Sequence, residues 1–189
     1  MASKVKICNM ALARLGAARI TALTDNTAEA KLCNLLFDET ADLVMVEGSW
    51  ATTIKRASLN ATTNTPAYGF TTEFQLPTDP FCLKVLQIND ITPGDEEYRI
   101  EGDKLLANIS TMKVKYIGRL TDTQAYGPFL TQAIITRLTA ELAYPITGQA
   151  SVADRWFQQY ERDVQKGLAN DGQQGSNELT VSPDLTDVR

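Results

Sequence analysis

Carboxylates are the one catalytic group that this chain holds in quantity. Glu73 and Asp79, or Glu97 and Glu101, are spaced so that one side chain could act as acid and its neighbour as base in glycoside cleavage. With 23 acidic residues among 189, however, some pair at such a spacing is expected by chance. Histidine is absent altogether. That removes Ser-His and Cys-His nucleophile activation, His-ligated zinc and the usual base near neutral pH. No G-x-x-x-x-G-K-[ST] phosphate loop and no G-x-S-x-G elbow occurs, and Gly94, Gly102 and Gly118 read as turn residues. The chain therefore reads as a non-enzyme that needs no cofactor and no metal.

Cysteine points the same way. Cys8, Cys33 and Cys82 are odd in number, far apart, and set in apolar patterns, so buried free thiols are expected rather than redox or metal chemistry. The net charge is −5. Residues 1–56 carry seven Lys/Arg against six Asp/Glu, 57–120 six against eight, 121–170 four against five, and 171–189 one against four. No segment is a basic patch of the kind that grips phosphates, which argues against tight nucleic-acid binding. Apolar runs such as Leu43-Val-Met-Val46 stop at four residues, where a membrane span needs about 20. Met1-Ala-Ser-Lys-Val-Lys6 does not lead into the apolar stretch of a signal peptide, so a cytoplasmic life is expected.

These side chains must be positioned by two kinds of element. Val5, Cys8, Leu12 and Leu15 recur at helical spacing, and Gly16 can end that helix in a left-handed cap. Ile20 and Leu23 anchor the link that follows. Asn26, three residues before Glu29, resembles a capping box for a second helix running to Gly48. Its main stripe reads as Leu32, Leu35, Leu36, Leu43 and Val46, widened by Cys33, Phe37 and Val44. Trp50 then packs the next turn back onto the helices.

From Ala57 the pattern changes. Asn60 to Pro66 read as loop, Phe74-Gln-Leu-Pro77 as a brief strand, and Phe81 to Ile88 as an alternating one. Tyr98-Arg-Ile100, the turn Glu101-Gly-Asp103 and Lys104-Leu-Leu-Ala107 form a hairpin. Met112, Val114 and Tyr116 then face one way and Lys113 and Lys115 the other, which predicts a small antiparallel meander with one wet face. Helical period returns at Pro128, with the ladder Leu130, Ile134, Leu138 and Leu142, and Pro145 is expected to stop it. Arg137 and Glu141 are spaced to pair on the surface. A last helix carries Val152, Trp156, Tyr160, Val164 and Leu168.

The fold class expected is α+β. A mainly helical bundle of about four helices (1–56 and 121–170) carries an antiparallel β lobe (57–120) inserted between its second and third helices. Leu32, Leu36, Trp50, Leu138, Trp156 and Tyr160 are its expected core anchors. Residues 171–189 are too polar to bury themselves and read as an extended or disordered arm, with Leu179, Val181, Leu185 and Val188 as its few apolar contacts. Leu179-Thr-Val181 alternates as a strand added to a partner would.

Several blocks carry a resemblance along most of the chain. The first comprises Ala11-Leu-Ala-Arg-Leu-Gly16, Ala28-Glu-Ala30, Phe37-Asp38, Asp42, Trp50-Ala51 and Lys55-Arg56. The second comprises Phe74-Gln-Leu-Pro-Thr-Asp79, Tyr98-Arg-Ile-Glu-Gly102 and Lys115-Tyr-Ile117, and the third Arg137-Leu-Thr-Ala-Glu-Leu-Ala143 with Pro145-Ile-Thr147. In order and spacing they resemble the tail tubular protein A family, the head-to-tail adaptors of short-tailed bacteriophages. The resemblance implies a helical bundle with an inserted β lobe, assembled as a dodecameric ring between the portal protein and the tail nozzle or next tail protein. Such a ring sits in the virion at the head–tail junction, is assembled in the host cytoplasm, and lets genomic DNA pass without specific binding. The resemblance also implies that residues 171–189 reach the portal.

An acidic ring would repel the DNA passing through it. On that ground Asp95, Glu96, Glu97, Glu101 and Asp103 are candidates to face the channel or the next tail ring. Two other readings share the sequence: a neck completion or stopper protein of a long-tailed phage, and a tail-associated cell-wall hydrolase using carboxylates.

Overall fold

Ser3 opens the first helix by accepting a hydrogen bond from the Lys6 backbone N–H at 3.2 Å, and helix α1 runs Lys4–Arg14. The computed structural model describes residues 3–48, 50–89 and 98–171. At the far end of α1 Gly16 adopts φ +71°, and the N–H groups of Gly16 and Ala17 return to the carbonyls of Ala13 and Leu12. This is the left-handed cap that the glycine allows. The link beyond it is pinned by Asn9, whose side chain donates to the Ile20 carbonyl and accepts from the Ile20 N–H, both at 2.8 Å.

Helix α2 runs Ala28–Gly48. Its cap is Thr27, whose Oγ1 accepts from the Ala30 N–H at 3.2 Å, so the start lies one residue after the Asn26 expected from the capping-box pattern. Helix α3 runs Pro128–Thr147 and α4 Ala150–Asp171. Pro145 lies inside α3 rather than ending it. A proline in the last turn forfeits a single backbone bond, and Gly148, at φ +69° with its N–H bonded to the Tyr144 carbonyl, makes the actual stop.

Helix α3 is the central element, with α1, α2 and α4 all packed on it. Its ladder of Leu130, Ile134, Leu138 and Leu142 is fully buried, together with Ala133, Ile135 and Ala143. Trp50 fills the space between α2 and α4, donating its indole N–H to the Val44 carbonyl at 2.8 Å. Lys55 and Arg56, beyond it, belong to a strand.

Among the described residues, six strands lie between α2 and α3: β1 Ile54–Leu59, β2 Thr72–Gln75, β3 Cys82–Ile88, β4 Tyr98–Glu101, β5 Lys104–Ala107 and β6 Met112–Gly118. They form two three-stranded antiparallel sheets, β1-β6-β3 and β2-β5-β4, where the sequence pattern had predicted one meander. Leu59, Phe74, Leu105, Met112, Val114 and Tyr116 make a second core between the sheets. The other face of the first sheet meets the helices through Ile117, Leu83 and Leu86. Register shifts between Cys82 and Lys84 and between Val85 and Gln87 explain how β3 serves both cores. Each bulge adds one residue, so Cys82, Val85 and Ile88 share the sheet-to-sheet side while Leu83 and Leu86 turn toward the helices. The fold is α+β, with four α-helices and two small antiparallel sheets among the described residues.

Candidate assembly surfaces

Helix α2 has two apolar faces, and the sequence pattern favours the wrong one. The interior face is Ala30, Cys33, Phe37, Ala41, Val44, Met45 and Gly48. Leu35 is 68% exposed and Leu43 49%, while the expected anchors Leu32 and Leu36 are only half-buried at the edge of the core. Small side chains decide this. Ala30 and Ala41 are buried and Gly48 lets the Trp50 ring approach closely, while the bulkier Leu35 and Leu43 are left outside. The remaining anchors fare unequally: Trp50, Leu138 and Tyr160 are buried, and Trp156 is half-buried. Leu168 is 37% exposed, so α4 is less covered than its stripe suggests.

Trp156 lines a groove of about 650 Å³ between the end of α1 and the first half of α4. Arg14, Leu15, Val152, Arg155 and Arg162 line it as well. Arg14 is the bridge: its guanidinium lies 5.3 Å from the Trp156 ring centre and donates to Thr136 Oγ1 at 3.1 Å and Gln132 Oε1 at 3.2 Å. Asp163 Oδ2 accepts from the Thr136 hydroxyl at 2.7 Å and from Gln132 at 3.1 Å. Burial pulls the Arg14 pKa down, and the Asp163 charge works against that pull.

On the α2 side of α4, Arg137 does more than the surface pair expected of it. Its Nε donates to Glu141 at 3.0 Å, its Nη1 lies 4.0 Å from Glu47, and its guanidinium stacks 4.7 Å from the Phe157 ring centre and 5.3 Å from that of Tyr160. The Tyr160 hydroxyl donates to Glu47. Burial, then that bond, push the Tyr160 pKa well up.

In the β lobe, Asp95, Glu96 and Glu97 lie outside the described residues. Glu101 pairs across the hairpin with Lys104, and Asp103 accepts from Gln75 Nε2 at 3.0 Å, which holds its carboxyl below the usual range. A cleft of about 480 Å³ gathers Tyr68, Phe70, Glu73, Arg99, Glu101 and Lys104. It unites Glu73 with Glu101, a pairing that linear spacing had not suggested, and Asp79 does not line it. Glu73 accepts from Thr62 at 3.0 Å and lies 3.8 Å from the Lys104 ammonium. Lys104 and Arg99 thus place two cations among the two carboxylates of the cleft.

Pairing also gathers cations that the linear charge count missed. Arg56 stands opposite Lys115, and Ser58 opposite Lys113, around a shallow cleft of about 180 Å³ reaching Gln87 and Asn89. Lys113 and Lys115 share a face of β6 by alternation, and the β1–β6 register adds Arg56 to them. The apolar arm residues Leu179, Val181, Leu185 and Val188 fall outside the described residues. Cys8 and Cys33 are buried and Cys82 is half-buried. The neighbouring Cys33, then burial, pushes the Cys8 thiol up. Among the described residues, no group of three or more His, Cys, Asp or Glu is placed to hold a metal ion, and no helix is long and apolar enough to cross a membrane.

No protein-family model and no curated protein matches the chain. Among the described residues, the surface carries exposed Leu35 and Leu43 on α2, the groove that Arg14 and Trp156 line, and the charged β cleft.

Proposed function

We propose that this protein is a structural adaptor of a bacteriophage head-to-tail junction: a subunit of a ring that docks under the portal, continues the DNA channel and offers a platform to the tail nozzle. The observation that carries the reading is the element order. Two helices, an inserted β lobe and two further helices follow one another, which is the order that the tail tubular protein A resemblance implies. Ala11 to Gly16 close α1, Tyr98 to Gly102 supply the first strand and turn of the β4–β5 hairpin, and Arg137 to Ala143 form the middle of the central helix. The role requires contact surfaces and no catalysis, in keeping with a chain that has no histidine. An acidic subunit also suits a conduit that DNA must leave quickly.

The test mixes purified portal rings with the full-length chain and with a chain ended after Asn170, and reads mass and negative-stain images. About one added copy per portal subunit for the full chain, lost on truncation, supports the adaptor and its arm. No binding by the full chain overturns the reading.

A further inference from the structure

The outward face of α2 and the α1–α4 groove are two different patches on one molecule, and they complement each other. Leu35, Glu39 and Leu43 follow at four-residue steps on the side of α2 turned away from its buried face, with Leu35 and Leu43 about 12 Å apart along the axis. Helix α2 as a whole carries five acidic residues against one lysine. The groove has the opposite character. Its charged lining is arginine only, its apolar floor is Leu15, Val152 and Trp156, and Arg155 and Arg162 stand two turns of α4 apart, about 10.5 Å. No residue of α2 lines it, so one molecule does not fill its own groove with this face.

We infer that α2 of one copy docks, through Leu35, Glu39 and Leu43, into the α1–α4 groove of a second copy. The leucines cover Trp156 and Val152, and Glu39 is placed between Arg155 and Arg162, in the manner of a helix lying in a groove. Because the two patches differ, the contact is head-to-tail: each copy keeps one patch free for the next, and the series closes into a ring when the rotation between copies allows. The inference rests on the adaptor reading for ring closure, while the pairwise contact rests on the two faces.

Sedimentation of the full chain from micromolar to millimolar concentration tests it, with circular dichroism as the check on folding. The wild-type mass is expected to rise with concentration beyond that of a dimer. A face variant (Leu35→Ser with Leu43→Ser) and a groove variant (Arg155→Ser with Arg162→Ser) are each expected to stay folded and monomeric. Mixed in equal amounts, they are expected to form a one-to-one dimer and nothing larger, because the mixture holds one intact face and one intact groove. A wild-type monomer at every concentration, variants that associate like wild type, or a mixture that stays monomeric would each overturn the contact. So would loss of association when the chain is ended after Asp171, which would make residues 172–189 the occupant of the groove. Portal binding is read separately: its failure ends the adaptor reading and leaves the contact between copies standing.

Discussion

The indole of Trp50 occupies the place that a side chain on Gly167 would need. A Cβ built on Gly167 would stand 2.4 Å from Cζ3 of Trp50, and one built on Gly48 would stand 2.2 Å from its Cε2. Neither glycine has a positive φ, so their value here is volume and not backbone freedom. Two helices thus close on one ring, which is how α4 is fastened to the end of α2.

Gly167→Ala is expected to lower stability by about 1–3 kcal/mol through overpacking, and Trp50→Ala by about 3–5 kcal/mol through the cavity it leaves. In a Trp50→Leu background the Gly167→Ala cost should shrink toward zero, since the clash is with the ring. Urea midpoints of the four proteins measure this. An undiminished cost in the leucine background would place the clash elsewhere.

Arg137 lies among Glu47, Glu141, Phe157 and Tyr160, with its side chain 19% exposed. Arg137→Lys keeps the charge and loses the flat guanidinium that stacks on the rings. It should therefore cost about 1 kcal/mol, more than the few tenths that an isolated helix pair is worth. A double-mutant cycle with Phe157→Leu is the check, and full additivity would remove stacking as the cause.

Stability is expected to fall at alkaline pH. Burial, then the nearby Asp38, Asp42 and Asp122 charges, push the Tyr126 pKa up to about 12, and Tyr160 is raised as well. A phenol whose folded value exceeds its unfolded one favours folding fully below the unfolded pKa, 10.0 here, and loses that contribution as pH rises through the folded value. Urea midpoints should therefore drop from about pH 10 upward, and Tyr126→Phe should flatten the drop. An unchanged slope in Tyr126→Phe would assign the loss to other groups.

The β4–β5 turn isolates a purely conformational effect. Gly102 has φ +62°, and a Cβ there would meet nothing within 4 Å. Gly102→Ala should cost about 1 kcal/mol from backbone strain alone, and Gly102→Asn less, because asparagine tolerates the left-handed region. Thermal melts of both variants test the ranking, and equal losses would mean that side-chain contacts matter after all.

Much of this molecule is legible locally because the signals involved are local. The Gly16 cap, the α3 ladder from Leu130 to Leu142, the hairpin around Gly102 and the alternation of Met112, Val114 and Tyr116 each depend on residues a few positions apart, whose period sets the face they share. The exclusions are local too, since a residue type that is missing is missing wherever the chain goes. Tertiary structure decided the rest. Period cannot say which of two apolar faces of α2 is inside, because Ala30, Ala41 and Gly48 count for little in a hydrophobic pattern and for much in close packing. Strand period cannot choose between one meander and two stacked sheets, since the β3 bulges break the period where the choice is made. Arg56 beside Lys115, Glu73 and Glu101 around one cleft, and Arg14 over Trp156 are likewise products of register and packing between distant segments. Surfaces made by such meetings have no linear signature; the groove that Arg14 and Trp156 line is one of them, and the proposed contact between copies joins it to the leucine face of α2.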